Sequence, residues 1–188
     1  ISMRIIKTPK DDIQRLAISF LLGEGEFTYT KRFSQLLLNL GTGRGKTYST
    51  AAAMSFFRLK TMVITHTNKI KSQWYDTFID MTDLDETHIC CINNGMDIKR
   101  LLKKGNPKYK VYLVNHGTLS SYGKTNGWEA VRELFIYLRI GLKVIDEAHL
   151  FFANMLKIDM FSNCKKSIYL TATFERSNRY ENTNNNYI

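Results

Sequence analysis

Three glycines alternate with polar residues in Gly41-Thr42-Gly43-Arg44-Gly45, and Lys46 and Thr47 follow directly. Glycine lacks the Cβ that would block a tight path, so such a loop can turn its backbone N–H groups onto a single anion. A helix starting near Lys46 would add its own unsatisfied N–H groups and dipole to the same point. Phosphate suits this geometry, with Lys46 reaching the outer phosphates and the Thr47 hydroxyl holding Mg²⁺. Far along the chain, Asp146 and Glu147 close the apolar run Leu142–Asp146. A carboxylate at a strand tip is placed to hold Mg²⁺, and its neighbour to orient and deprotonate a water. Together the two sets predict phosphoryl hydrolysis. Lys46, Asp146 and Glu147 are the candidate catalytic groups, the loop from Gly41 to Thr47 the nucleotide cradle, and Thr47 and Asp146 the metal ligands.

These groups act together only if the fold joins them. Short apolar runs at Gln35 to Leu40, Thr61 to Thr65, His88 to Ile92, Val111 to Asn115, Leu142 to Asp146 and Ser167 to Leu170 are nearly continuous in character. They predict strands buried on both faces, as in a parallel sheet covered by helices. Helical patterns lie between them at Thr47 to Leu59, Asn68 to Ile79, Asp97 to Lys103 and Trp128 to Ile140. Ahead of the first strand, Asp11 to Leu22 places Ile13, Leu16, Ala17, Phe20 and Leu21 on one helix face. The alternation predicts an α/β fold with a mostly parallel central sheet and helices on both faces. Right-handed crossovers then bring every strand's C-terminal end to one edge, where open α/β sheets bind ligands. Residues 1–176 read as one domain, and the polar, asparagine-rich 177–188 as a tail or linker.

At 188 residues with 44% hydrophobic and 23% charged residues, the composition is that of one globular domain. A formal charge of +10 points to a polyanionic partner, nucleic acid first, with a solvated basic surface as the alternative. Lys99, Arg100, Lys103, Lys104, Lys108 and Lys110 form the densest basic cluster, read either as a rim for that partner or as a solvated helix end. Cys90, Cys91 and Cys164 lack a pairing or Cys-x-x-Cys pattern, which fits a reducing, cytoplasmic setting. The four histidines show no metal-ligand spacing. Apolar stretches are broken by charge well short of a membrane span, as Arg132, Glu133 and Arg139 break 131–141.

In this order the motifs resemble the first RecA-like domain of superfamily-two helicases and translocases. Gly43 to Thr47 is similar to motif I, and Asp146-Glu147-Ala148-His149 to motif II. Leu170 to Arg176 resembles motif III with its Thr171-Ala172-Thr173 triplet, and Val63 to Trp74 resembles motif Ia. The resemblance is nearest to the branch of phage recombination and repair helicases and restriction-enzyme translocases. It implies a RecA-like P-loop fold, ATP and Mg²⁺ as cofactors, and a nucleic-acid track, preferably DNA. It further implies contacts to the track from Thr67 and Thr118, with Asn94-Gly95 as a further candidate. His149, Thr171 and Thr173 would couple nucleotide to track, and the motif III strand would lie between those of motifs I and II. Gln14 is similar to the glutamine that reads adenine, with a plain helix-surface glutamine as the alternative. Departures from the family pattern are Leu40 opening motif I, His66 and Phe174 where proline is usual, and Ile13 where an aromatic residue is usual.

The family works with a second RecA-like domain carrying an arginine finger, so this chain alone is expected to hydrolyse ATP poorly. Two other readings stay open: a motor that pumps duplex DNA, of packaging or restriction type, and a nucleotide-responsive binding module without turnover of its own. An AT-rich, viral origin is a further expectation from the Lys, Asn, Ile and Tyr content.

Overall fold

A computed structural model describes residues 1–7, 12–40, 45–105 and 107–171. Six strands form its centre: β1 (Gln35–Asn39), β2 (Thr61–Thr65), β3 (Ile89–Ile92), β4 (Val111–Asn115), β5 (Leu142–Asp146) and β6 (Lys166–Thr171). They lie in the order β1-β6-β5-β2-β4-β3, and each described pairing of the sheet is parallel. The strand bearing Thr171 therefore sits between the strand that leads to Lys46 and the strand that ends in Asp146, as the resemblance implied.

The register explains the apolar runs. Leu36, Ile168, Val144, Val63, Leu113 and Cys91 face one another in a row across all six strands. This row packs in one core with α1 (Asp12–Leu22), α2 (Lys46–Phe57) and α3 (Asn68–Met81). The next row along contains Tyr169, Ile145, Ile64, Val114 and Ile92, and the opposite face of the sheet buries it. Its cover is α4 (Gly95–Lys104), α5 (His116–Asn126), α6 (Trp128–Tyr137) and α7 (Phe152–Met160). Strand side chains alternate between faces, so only a sheet covered on both sides hides every residue of β2 and β5. Among the described residues no helix is long and apolar enough to cross a membrane.

Three sequence expectations need correction. β1 is buried on one face only: it is an edge strand, and Leu37 is 62% exposed while Leu36 and Leu38 are buried. The α1 face is rotated, so that Gln14, Ala17 and Leu21 are buried while Ile13 and Leu16 are exposed. Two helices, α5 and α7, stand where none was read. The first is Gly- and Ser-rich, and Gly123 sits in its middle because the Trp128 ring lies against it. A Cβ there would come within 2.7 Å of that ring.

Lys143, a lysine inside β5, is 2% exposed. It is ion-paired with Asp159 of α7 and donates to the carbonyl and hydroxyl oxygens of Ser162, each at 2.9 Å. The Tyr169 hydroxyl donates to the other Asp159 oxygen at 2.6 Å, so the buried charges are paired and hydrogen-bonded.

Candidate functional site

Parallel strands bring Lys46, Asp146, Glu147 and Thr171, among the described candidates, to the C-terminal edge of the sheet. Gly45 ends the glycine loop in a left-handed conformation (φ 78°, ψ 37°), and α2 begins at Lys46. The first turn of α2 carries no acidic side chain, and the N–H groups and dipole of a helix start favour an anion. Thr47 is half-buried in that turn. Gly41, Thr42, Gly43 and Arg44 of the predicted cradle lie outside the described residues, as does Thr173.

The two sequence sets meet. Lys46 Nζ donates to Asp146 Oδ1 at 3.1 Å across a separation of 100 residues, and it also pairs with Glu147 Oε1. All three side chains are largely buried, at 16%, 5% and 9% exposure. A strand would point consecutive side chains to opposite faces. Glu147 escapes this because it adopts a left-handed backbone (φ 56°, ψ 42°), which turns its carboxylate onto the same cation as Asp146. Such a conformation costs a non-glycine residue about 1 kcal/mol or more and is held by its surroundings. Burial alone would lower the Lys46 pKa, yet the adjoining Asp146 and Glu147 outweigh it and hold the ammonium above its ordinary value.

This constellation fits a magnesium-bound nucleotide. Two carboxylates against one ammonium leave a net negative charge, and moving Lys46 onto phosphate would leave carboxylate oxygens that require a cation. Thr47 and Asp146 would hold Mg²⁺, whose charge would neutralise that building up on the phosphates. The Glu147 carboxylate, beside Asp146, would be free to accept a proton from a water once Lys46 had moved.

His149 joins this site to β6. Its Nδ1 lies 2.9 Å from the Thr171 hydroxyl, and its Nε2 is 3.3 Å from Glu147 Oε2, an ion-pair distance without hydrogen-bond alignment. The predicted coupling pair is thus in contact. Gln14 is 3% exposed and packs on Gly45 so tightly that a Cβ there would fall 2.2 Å from Gln14 Nε2. The helix-surface alternative is therefore wrong, because the glutamine is buried against Gly45.

Beyond β2, the ends of β3 and β4 open a groove of about 560 Å³ lined by Asn93, Asn94, Lys99, Asn115, Thr118 and Ser121 among others. Thr118 is in its wall. Thr67 is outside it, capping α3 by accepting from Ile70 N at 3.2 Å. The next residue, Asn68, accepts from the groove residue Asn115 at 3.3 Å. The basic cluster does not form one rim. Lys99 lines the groove, Lys103 and Lys104 lie in the last turn of α4, and Lys110 precedes β4 at the opposite edge, donating to Ser2 O at 2.6 Å.

Two features escaped the sequence reading. Trp74 Nε1 donates to Asp146 Oδ2 at 2.8 Å, and the rings of His66, His116 and Phe151 stack, His116 on Phe151 at 4.1 Å between centroids. Both join elements far apart in sequence, and no spacing signals either. Burial together with the neighbouring His66 lowers the His116 pKa.

The family model described as type III restriction enzyme, res subunit, matches residues 5–176. The chain belongs to this family. Members are ATP-dependent proteins of the helicase and translocase kind, and the fold here is the RecA-like ATPase fold of that class. A comparison with curated proteins gives no match. Among solved structures, the UvsW helicase of bacteriophage T4 shares 19% identity at a TM-score of 0.59, covering 91% of this chain and 55% of that one. The Sulfolobus solfataricus SWI2/SNF2 ATPase core domain gives 16% and 0.64, covering 89% and 32%. A hypothetical ATP-dependent RNA helicase from Sulfolobus tokodaii gives 19% and 0.62, covering 97% and 52%. The chain thus spans between a third and about half of these proteins' lengths, and at such identities the likeness shows the fold alone.

Proposed function

We propose that this domain binds and hydrolyses ATP with Mg²⁺ to drive a helicase or translocase along DNA, acting with a second RecA-like domain in cis or in trans. One observation carries the reading: Lys46, Asp146 and Glu147, distant along the chain, are brought into contact at the strand ends. Lys46 leaves its carboxylate partners for the outer phosphates, Thr47 and Asp146 hold the cation, and Glu147 takes the proton of the attacking water. Gln14 packs on the glycine loop where a base would be read. The contact between His149 and Thr171 then gives the nucleotide site a route to β6.

The groove beside Thr118 is the proposed track site. Its amide and hydroxyl lining with one lysine favours sugar and phosphate contacts over base reading. The net charge of +10 favours a polyanion, and the motif pattern around residues 146 and 170–176 favours DNA.

The test is nucleotide binding and nucleic-acid-stimulated hydrolysis in the wild-type chain, supplied with its second domain, and in two variants. Lys46→Ala should lose binding. Glu147→Gln should bind but turn over about 10²–10⁴-fold more slowly. Undiminished stimulated hydrolysis in Lys46→Ala would refute the assignment, and stimulation by RNA alone would overturn the preference for DNA.

A further inference from the structure

Asp146 is 3% exposed, and its two oxygens have different partners. Oδ1 faces Lys46 at 3.1 Å, whereas Oδ2 accepts from the Trp74 indole at 2.8 Å. A carboxylate that must meet a cation with one defined oxygen needs its other oxygen held, since free rotation would present both alike. Lys46 cannot do this, because phosphate would draw it away. A neutral, immobile donor can.

Trp74 meets that requirement. It is 2% exposed, and its ring is packed against Phe78 with centroids 6.0 Å apart. Its backbone belongs to α3, whose first turn is fixed by the Thr67 cap. Thr67 and Trp74 are seven positions apart, two helical turns, and so share one face of α3 about 10 Å apart along its axis. Long helical side chains lean toward the helix N-terminus, which returns the indole to the edge where Asp146 lies. A shift of α3 at the Thr67 turn therefore reaches the Asp146 carboxylate through one rigid ring.

We infer that Trp74 is a positioning residue for the metal: its indole N–H holds Asp146 Oδ2 so that Oδ1 faces the cation, and it links that carboxylate to the Thr67 turn. The inference rests on the nucleotide-site reading above. The experiment uses the 188-residue chain and a fluorescent ADP analogue titrated with and without Mg²⁺. Trp74→Phe keeps an aromatic ring at the position and removes the donor together with the smaller ring of the indole. It should weaken the Mg²⁺-dependent part of binding about 10-fold or more and leave Mg²⁺-free binding unchanged. The chain has two tryptophans, so Trp128→Phe leaves Trp74 as its sole indole reporter. Its emission should shift when Mg²⁺ joins bound nucleotide, and stay still with nucleotide and chelator.

Wild-type Mg²⁺ dependence in Trp74→Phe overturns the inference. If that variant fails to fold, a silent Trp74 signal in the Trp128→Phe chain overturns it equally. Absence of any nucleotide binding by the wild-type chain, matched by Lys46→Ala, would instead remove the nucleotide-site reading, and this inference with it.

Discussion

Gly45→Ala is the sharpest test of how the nucleotide loop is built. Two independent effects oppose the added methyl. The backbone at φ 78° costs an L-residue about 1 kcal/mol. The methyl would also lie 2.2, 2.7 and 3.0 Å from Nε2, Cδ and Cγ of Gln14, so the outer half of that side chain must move. Gln14 is 3% exposed, so displacing it disturbs packed surroundings at a cost of about 2 kcal/mol. The sum, about 3 kcal/mol, corresponds in a domain of this size to a Tm lower by about 6–12 °C. In a Gln14→Ala background the obstruction is gone, and the same glycine substitution should cost only about 1 kcal/mol. Circular-dichroism melts of the four chains complete the cycle, whose coupling of about 2 kcal/mol belongs to the Gln14–Gly45 contact. Equal penalties in the two backgrounds would show that Gln14 does not press on the loop, and with it would go the glutamine's claim to the nucleotide site.

Lys143→Met leaves Asp159 of the buried pair without its cation and should cost about 3 kcal/mol in urea unfolding. Adding Asp159→Leu should recover most of the loss, and a double variant as unstable as the single one would contradict the pairing. The lowered His116 pKa means that the neutral imidazole supports the fold above about 6.5, its ordinary value, with stability lost as pH falls through the lowered one. Melts between pH 7.5 and 5 should therefore decline, and His116→Gln should flatten that decline; an unchanged slope would place the titration elsewhere. Lys99→Glu should weaken DNA binding and reduce its salt slope by about 1, while Lys103→Glu leaves both alone. Equal effects from the two lysines would argue for a diffuse basic surface in place of the groove.

The chemistry was legible in the sequence because each half of the site is local. A loop of three glycines followed by lysine and threonine, and two carboxylates at the end of an apolar run, point to the roles proposed for them through residue type alone. The six strands were legible too, because a parallel sheet buried on both faces writes itself as short continuous apolar runs between longer helical patterns. α5 was not, since His116–Asn126 carries two glycines and two serines, and the burial of Gly123 depends on the Trp128 ring that lies against it. The turn of α1 was misjudged for a related reason. Gln14 is polar, and its burial against Gly45, on the face that also sends Ala17 and Leu21 into the core, shows only in the folded chain.

What tertiary structure decided are the contacts that join separate elements: Trp74 to Asp146 from α3 to β5, His149 to Thr171 from motif II to β6, and the His66–His116–Phe151 stack across three turns. Composition and periodicity describe which surface each element buries, but they say nothing of its rotation or depth against a non-neighbouring element. A hydrogen bond depends on those to within a few tenths of an ångström, because its strength falls steeply with distance and angle. The groups that would carry the reaction were therefore visible one at a time along the chain, and the groups that aim them became visible only once the helices had docked on the sheet.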